Sequence, residues 1–353
     1  MHVTVVGYGT TGKLDAGILR RAGFKVSVVD PQPAEHPVDV QVWHAIDEIP
    51  CRTRSDVDMW VVSNPTADHL STLRSVFRWQ PNARIMLEKP AFSSQEIDEI
   101  RGLLAEHPQA RLMVNQLYRH SRVVSLLRAA MPHAGGRCPD SIEIAFTRDH
   151  RLDNPTGRFS DVSDTDYHVL GYEWIHMLSV LEGLLPRAAW QQYLTGPMEY
   201  SRFTATRDSG GSVTGLREHS WIGPTRVSMY STITKDLSGQ GAPPGLPSHW
   251  QRITHSPARH RYAKVQFGDT VLTTEFDPVT TVDGYGLPQD RHRLTIESKG
   301  RVLDERIIVD SPPATSLLSG LDQLTRCGSD LTWLPPVRRL VSISRHLAEQ
   351  RAA

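Results

Sequence analysis

Near the start of the chain stands Gly7-Tyr8-Gly9-Thr10-Thr11-Gly12, directly after the β-branched run Val3–Val6 and ahead of a helical pattern. Three glycines at this spacing suit one task, the holding of a dinucleotide pyrophosphate. The first makes a tight turn, the second lets the backbone approach the phosphates, and the third lets helix and strand pack closely. N–H groups at the helix start then meet the anion. Asp30 closes the next β-branched run, Lys25–Val29. A carboxylate there accepts hydrogen bonds from an adenosine ribose diol and repels a 2′-phosphate. The expected cofactor is therefore NAD, bound by Gly7, Tyr8, Gly9, Thr10, Thr11, Gly12 and Asp30.

Two further segments follow strand patterns, Ser63-Asn64-Pro65 and Glu88-Lys89-Pro90. Ligands of open parallel sheets bind beyond the carboxyl ends of the strands, so both are placed to face a nicotinamide. The Lys89 ammonium can hold a hydroxyl or carbonyl oxygen and stabilise developing alkoxide charge. Six of the 39 basic side chains are lysines, so Lys89 has few rivals for that work. Farther on, Glu173 and His176 are neighbours on one face of the helical pattern Tyr167–Leu185. A carboxylate beside an imidazole raises its basicity and orients it. His176 is expected as general acid or base, Glu173 as its partner and Tyr172 as a proton relay. Asp164, Asp166 and His168 lie upstream, off that helical face.

The elements that must position these groups fall into two sets. Through residue 118, short β-branched runs alternate with helical patterns, which is the signature of a parallel sheet with crossover helices. Strands are expected at Val3–Val6, Lys25–Val29, Met59–Val62, Arg84–Leu87 and Arg111–Asn115. Helices are expected at Lys13–Ala22, Ala67–Trp79 and Ser93–Glu106, the last with Ser93 and Glu96 as a capping box. Residues 119–353 read differently. Helix Arg122–Met131 and strand Ser141–Phe146 precede the long helical pattern. Alternating segments then follow at Arg187–Leu194, Ser201–Arg207, Val227–Thr234, Tyr262–Phe267, Thr270–Phe276, Arg291–Glu297 and Arg306–Val309. Strands in succession imply an antiparallel sheet. Asp236–Arg261 is a long Gly/Pro/His/Arg-rich connection, and a helix at Pro336–Gln350 ends the chain.

The quoted motifs together resemble the Gfo/Idh/MocA family of oxidoreductases. The matching pieces are Gly7–Gly12, Ser63-Asn64-Pro65 with His69, Glu88-Lys89-Pro90, and Tyr118-Arg119 after the last strand of the first set. The resemblance implies an α/β fold: an N-terminal Rossmann domain and a C-terminal α+β domain on a large open, mostly antiparallel sheet. It also implies a homodimer or homotetramer joined through that sheet. The implied reaction oxidises or reduces a secondary alcohol of a sugar, aminosugar or cyclitol. Ser63, Asn64, Pro65, His69, Glu88 and Lys89 then join the cofactor site, and Lys89, Tyr118, Arg119, Tyr172 and His176 the substrate site. One signature departs from the pattern. The family's Asp-x-x-x-His pair falls on Val169–His176, where no register restores both residues. Two other readings share the fold, a glycoside-cleaving enzyme that uses NAD transiently and a non-catalytic dinucleotide sensor.

Composition excludes several classes. Thirty-nine basic and 39 acidic side chains cancel, which argues against nucleic-acid or membrane-surface binding. Cys51, Cys138 and Cys327 show no metal or disulfide spacing, and the scattered histidines, His255 and His260 among them, lack helical ligand spacing. No metal site is expected. No apolar run reaches membrane length, and Met1 leads straight into the first strand, so a cytoplasmic protein is expected.

Overall fold

The computed structural model describes residues 1–32, 40–93, 95–134, 138–148, 169–234, 259–277, 279, 287–326 and 334–352. Asp164, Asp166, His168 and the connection from 236 to 258, with His255, lie outside the described residues, as does the side chain of Tyr172. The chain divides into two units, 1–117 with 313–337 and 118–312 with 338–353.

The first unit follows from its continuous apolar runs. Strand β1 (His2–Val6) is buried along its whole length, as a strand covered on both faces must be. It leads into α1 (Thr10–Arg21), β2 (Lys25–Val29), β3 (Gln41–Trp43) and α2 (Cys51–Ser55). Then come β4 (Met59–Val62), α3 (His69–Trp79), β5 (Arg84–Leu87), α4 (Ile97–Glu106) and β6 (Arg111–Val114). The strands pair in parallel, in the order β3-β2-β1-β4-β5-β6. The order reverses beside β1, which opens a crevice at the carboxyl ends there. Between Val29 and Met59, where no element is expected, lie β3 and α2, both too short to leave a periodic signal. Helix α4 starts at Ile97, later than the expected Ser93. Glu96 nonetheless accepts from Ser93 N–H (2.9 Å) and Ser93 Oγ–H (2.7 Å), half of a capping-box exchange.

The second unit opens with α5 (Arg122–Ala134) and β7 (Ser141–Arg148). A π-helical turn, Leu170–Trp174, runs into α6 (Ile175–Leu184), followed by α7 (Arg187–Thr195). The strands β8 (Ser201–Arg207), β9 (Val213–Ile222), β10 (Thr225–Thr232), β11 (Arg259–Phe267), β12 (Thr270–Phe276), β13 (Arg291–Ser298) and β14 (Arg301–Val309) complete a sheet ordered β14-β13-β12-β11-β7-β10-β9-β8. The β7–β10 pair is parallel and the other pairs are antiparallel. Core residues come from alternate strand positions, such as Val227 and Met229 on β10. Apolar positions of α5, Val123, Val124 and Leu127, are buried with those of α6.

Two expectations are corrected. Arg187–Leu194, read among the alternating strand-like segments, is helix α7. Trp190, Tyr193 and Leu194 are its buried residues, an i, i+3, i+4 pattern that outweighs the β-propensity of its aromatics. Pro186 at the N-cap starts it. The second correction concerns α8 (Pro312–Arg326), not foreseen, since residues 313–337 belong to the first unit. Leu317, Leu321 and Leu324 of α8 are buried in the cluster of Val3, Met86 and Met113. Each such leucine stabilises the packing by roughly 1.5–3 kcal/mol. The chain therefore leaves the first unit and returns to it. Helix α9 (Leu334–Ala352) closes the sequence.

Candidate functional site

The site of the first unit is built at the carboxyl edge of its sheet. Each strand is extended by one ladder bond into its loop. Gly7 N–H donates to Val29 O (2.8 Å), Ser63 N–H to Val6 O (2.7 Å), Glu88 N–H to Val62 O (2.9 Å) and Asn115 N–H to Leu87 O (2.8 Å). Parallel pairing thus brings Gly7, Ser63, Glu88 and Asn115, distant in sequence, into one row.

Within the glycine loop each position has a distinct constraint. Gly7 has φ +90°, and a Cβ there would meet Asn64 N at 2.5 Å. At Gly12 a Cβ would fall on the Gly7 carbonyl oxygen. Around Gly9, by contrast, no atom lies within 4 Å of the Cβ position. Gly9 is also the N-cap of α1 and supplies no side-chain cap. The first intrahelical bond is Lys13 N–H to Gly9 O at 2.9 Å, so the helix leaves its first N–H groups directed outward. Open space above Gly9 and uncapped N–H groups at a helix start fit a dinucleotide pyrophosphate. Asp30 accepts from Tyr8 N–H (2.6 Å) and Gln32 N–H (2.8 Å). Each carboxylate oxygen keeps lone-pair capacity for a ribose hydroxyl.

The loops after β4 and β5 are tied together by His69. Its Nδ1 lies 2.7 Å from Ala91 O and its Nε2 2.9 Å from Asn64 O. Burial pushes this imidazole down, while the two carbonyls oppose the shift. Asn64 Nδ2–H donates to Thr72 Oγ1 at 2.8 Å, and Thr66 Oγ1–H to Pro90 O at 3.1 Å. Pro65 is exposed and Lys89 half-buried. Glu88 is buried and accepts from Asn115 Nδ2–H and from Lys89 N–H, the latter at 3.3 Å. Burial pushes the Glu88 carboxyl up, and Asn115 and the Lys89 charge counter it. Sequence reasoning missed Asp15, Asn115 and Ser316. Asp15 carried a signal, being an acid three residues after Gly12 on the sheet-facing side of α1.

In the second unit, Tyr118, Glu173, His176 and Arg261 form a second cluster. His176 is 4% exposed and stands edge-on to Tyr118, with ring centroids 6.0 Å apart. Tyr118 also packs edge-on against Phe276 (4.8 Å) and Phe146 (5.4 Å). Glu173 has a partner that the sequence did not show. Its Oε1 accepts from Arg261 Nη2 at 2.6 Å, a buried ion pair contributed by β11. Glu173 lies in the π turn, whose wider winding shifts the α-helical register that the sequence argument assumed. Burial pushes the Tyr118 phenol up to about 12, with Arg261 opposing and Glu173 and Asp277 adding. Tyr118 therefore stays a neutral phenol and a hydrogen-bond donor across ordinary pH. Arg119 is half-buried in the turn after Tyr118. Arg261, read as part of a basic segment, is instead a strand residue with a committed partner.

Among the described residues, no group of His, Cys, Asp and Glu is arranged to hold a metal ion. No helix among them is long and apolar enough to cross a membrane.

No protein-family model matches the sequence, and a search of curated proteins finds no match. Solved structures do match. UDP-N-acetylglucosamine 3-dehydrogenase from Acidithiobacillus ferrooxidans is 13% identical, with 98% of this chain and 96% of that chain covered and a TM-score of 0.62. A Gfo/Idh/MocA family oxidoreductase from Vibrio cholerae is 12% identical, with 100% of both chains covered and a TM-score of 0.63. Levoglucosan dehydrogenase, solved with NADH and levoglucosan, is 11% identical, with 100% and 97% covered and a TM-score of 0.66. The fold is that of the Gfo/Idh/MocA-type oxidoreductases, as the motif resemblance implied.

Proposed function

We propose that this chain is an NAD-dependent oxidoreductase that oxidises or reduces a secondary alcohol or ketone on a sugar, aminosugar or cyclitol. The observation that carries this reading is the glycine loop: space above Gly9 and an uncapped α1 start, in one row with Glu88-Lys89. Structures of the same fold include a nucleotide-sugar dehydrogenase and a levoglucosan dehydrogenase bound to NADH, which supports a carbohydrate substrate. Asp30 supports NAD over NADP, because a third negative group at its carboxylate would be repelled.

The bound nicotinamide supplies a hydride acceptor or donor at C4. The chain's own residues do the rest. Lys89 Nζ holds the substrate oxygen and stabilises alkoxide charge, with the Glu88 carboxyl beside it. His176 takes the hydroxyl proton in oxidation or returns it in reduction. Tyr118, Arg119 and Tyr172 contact substrate, and Glu173 acts through Arg261 as a positioning residue.

A panel of sugars, aminosugars and cyclitols, followed by NADH absorbance, tests the reading. Turnover with at least one member is expected, and Lys89→Ala should lower its kcat by about a hundredfold or more with NAD affinity retained. No absorbance change with any substrate, despite tight NAD binding, would sink the proposal in favour of a sensor. Full turnover by Lys89→Ala would remove Lys89 from the mechanism.

A further inference from the structure

Asp15 sits on α1 just past the glycine motif and is 2% exposed. A carboxylate so buried needs donors or a cation to remain charged. Among the described residues, Asp15 receives one side-chain donor, Ser63 Oγ–H at 2.7 Å. Glu88, 7% exposed, is better served. It accepts from Asn115 Nδ2–H and Lys89 N–H, with the Lys89 charge at hand. Asn115 is itself fixed by α8, where Ser316 Oγ–H donates to Asn115 Oδ1 at 2.6 Å.

Val62 and Leu87 pair across β4 and β5, so Ser63 and Glu88 stand at neighbouring strand ends, and the Asp15 carboxyl bonded to Ser63 is brought beside the Glu88 carboxyl. Burial pushes Asp15 well up, the Glu88 charge pushes it further, and Ser63 only partly offsets this. The charged groups acting on the pair are the carboxylates themselves and Lys89 at the end of β5. The ends of β4 and β6 and helix α8 contribute the neutral Ser63, Asn115 and Ser316. On α1 itself, Lys13 lies over the Tyr8 ring, 5.9 Å from its centroid. Among the described residues, the Lys89 charge and two of the donors act on Glu88 while Asp15 has Ser63, so charge is favoured on Glu88.

We infer that Asp15 is a positioning residue that carries the spare proton of a buried carboxylate pair, leaving Glu88 ionised as the partner of Lys89. The inference rests on the reading of Lys89 as the group that holds substrate oxygen. The protonated Asp15 anchors Ser63 without adding a second charge beneath the nicotinamide position. Rising pH releases that proton to solvent, and the second charge then competes with Glu88 for Lys89.

The first test needs no cofactor. Tm is measured from pH 5 to 9 for wild-type protein, Asp15→Asn, Glu88→Gln and the double variant. A folded-state proton affinity above the ordinary carboxylate value stabilises at low pH and is lost as pH rises through the folded value. Asp15→Asn is neutral at every pH, so its Tm relative to wild type should climb with pH, and that climb should shrink in the Glu88→Gln background, where burial alone still raises the Asp15 proton affinity. A difference that is flat with pH, or unchanged by Glu88→Gln, overturns the inference. Should the variants fail to fold, carboxyl ¹³C NMR on aspartate-labelled wild-type protein decides. An aspartate that titrates well above the ordinary aspartate range is expected, and its absence overturns the inference. The positioning role is read from pH–rate profiles on an active substrate. Wild-type kcat/KM should fall about tenfold per pH unit above the Asp15 ionisation, a limb absent from Asp15→Asn. Identical profiles remove the positioning role. Stability linkage without turnover on any alcohol sinks the proposed function alone, and turnover without linkage sinks the shared proton alone.

Discussion

The glycine loop of the first unit and the Tyr118–Glu173–Arg261 cluster of the second are built by opposite means. Six consecutive residues make the loop, and its working atoms are backbone N–H groups and empty space above Gly9. The cluster works through side chains that meet only when β11 lies against β7 and the π turn presents Glu173. A backbone-made site should be sensitive to added atoms and indifferent to charge. A side-chain-made site should be sensitive to a lost partner. That contrast can be broken experimentally, and the largest effect belongs to the cluster.

Arg261→Leu leaves Glu173 buried without its cation. Removing one member of a buried pair costs about 3–5 kcal/mol, because the remaining charge is uncompensated. Replacing both by leucine should recover most of that loss, which urea unfolding of the two single variants and the double variant will measure. A loss in the double variant equal to the sum of the two single losses would mean that the side chains act independently, and the cluster would no longer contrast with the loop.

Next in size is Gly12→Ala. Its Cβ would fall on the Gly7 carbonyl oxygen, a backbone atom that cannot swing aside. Overpacking of this kind costs about 1–3 kcal/mol, and here the strain falls on the turn that shapes the cofactor loop. Lower stability together with lost NAD binding is expected. Native stability and native binding together would show that the loop is not held by backbone contact.

The same contrast explains what the sequence revealed. The loop was readable because its glycines, preceding strand and following helix are contiguous and each answers a steric demand. Strands of the parallel sheet were readable as unbroken apolar runs. Helix α8 was hidden because its partners Val3, Met86 and Met113 are far away in sequence, and its leucines fit any apolar surface. Helix α7 was misread because Trp190 and Tyr193 favour strands in isolation. The Arg261 partner of Glu173 was hidden because β11 lies far away in sequence, and the π turn leaves no sign in α-helical spacing. Asp15 was overlooked for a related reason. An acid on a helix reads as solvated until the sheet edge is seen to bury it.

The smallest effect on folding, and the sharpest on the comparison, belongs to Gly9→Ala. Gly9 has φ −73° and ψ −161°, an extended conformation open to alanine. Its Cβ would have no neighbour within 4 Å. Stability should therefore stay within about 0.5 kcal/mol of wild type, as for surface substitutions without a structural role. Cofactor binding should behave differently, because the added methyl occupies the space through which backbone N–H groups reach the phosphates. A loss of about tenfold or more in NAD affinity is expected, measurable by tryptophan fluorescence titration, since a tenfold change corresponds to about 1.4 kcal/mol. Gly12→Ala and Gly9→Ala then separate the loop's two uses of glycine, one for its own packing and one for its ligand. If Gly9→Ala binds NAD as wild type does, the pyrophosphate does not lie over Gly9, and the loop's open space has another purpose.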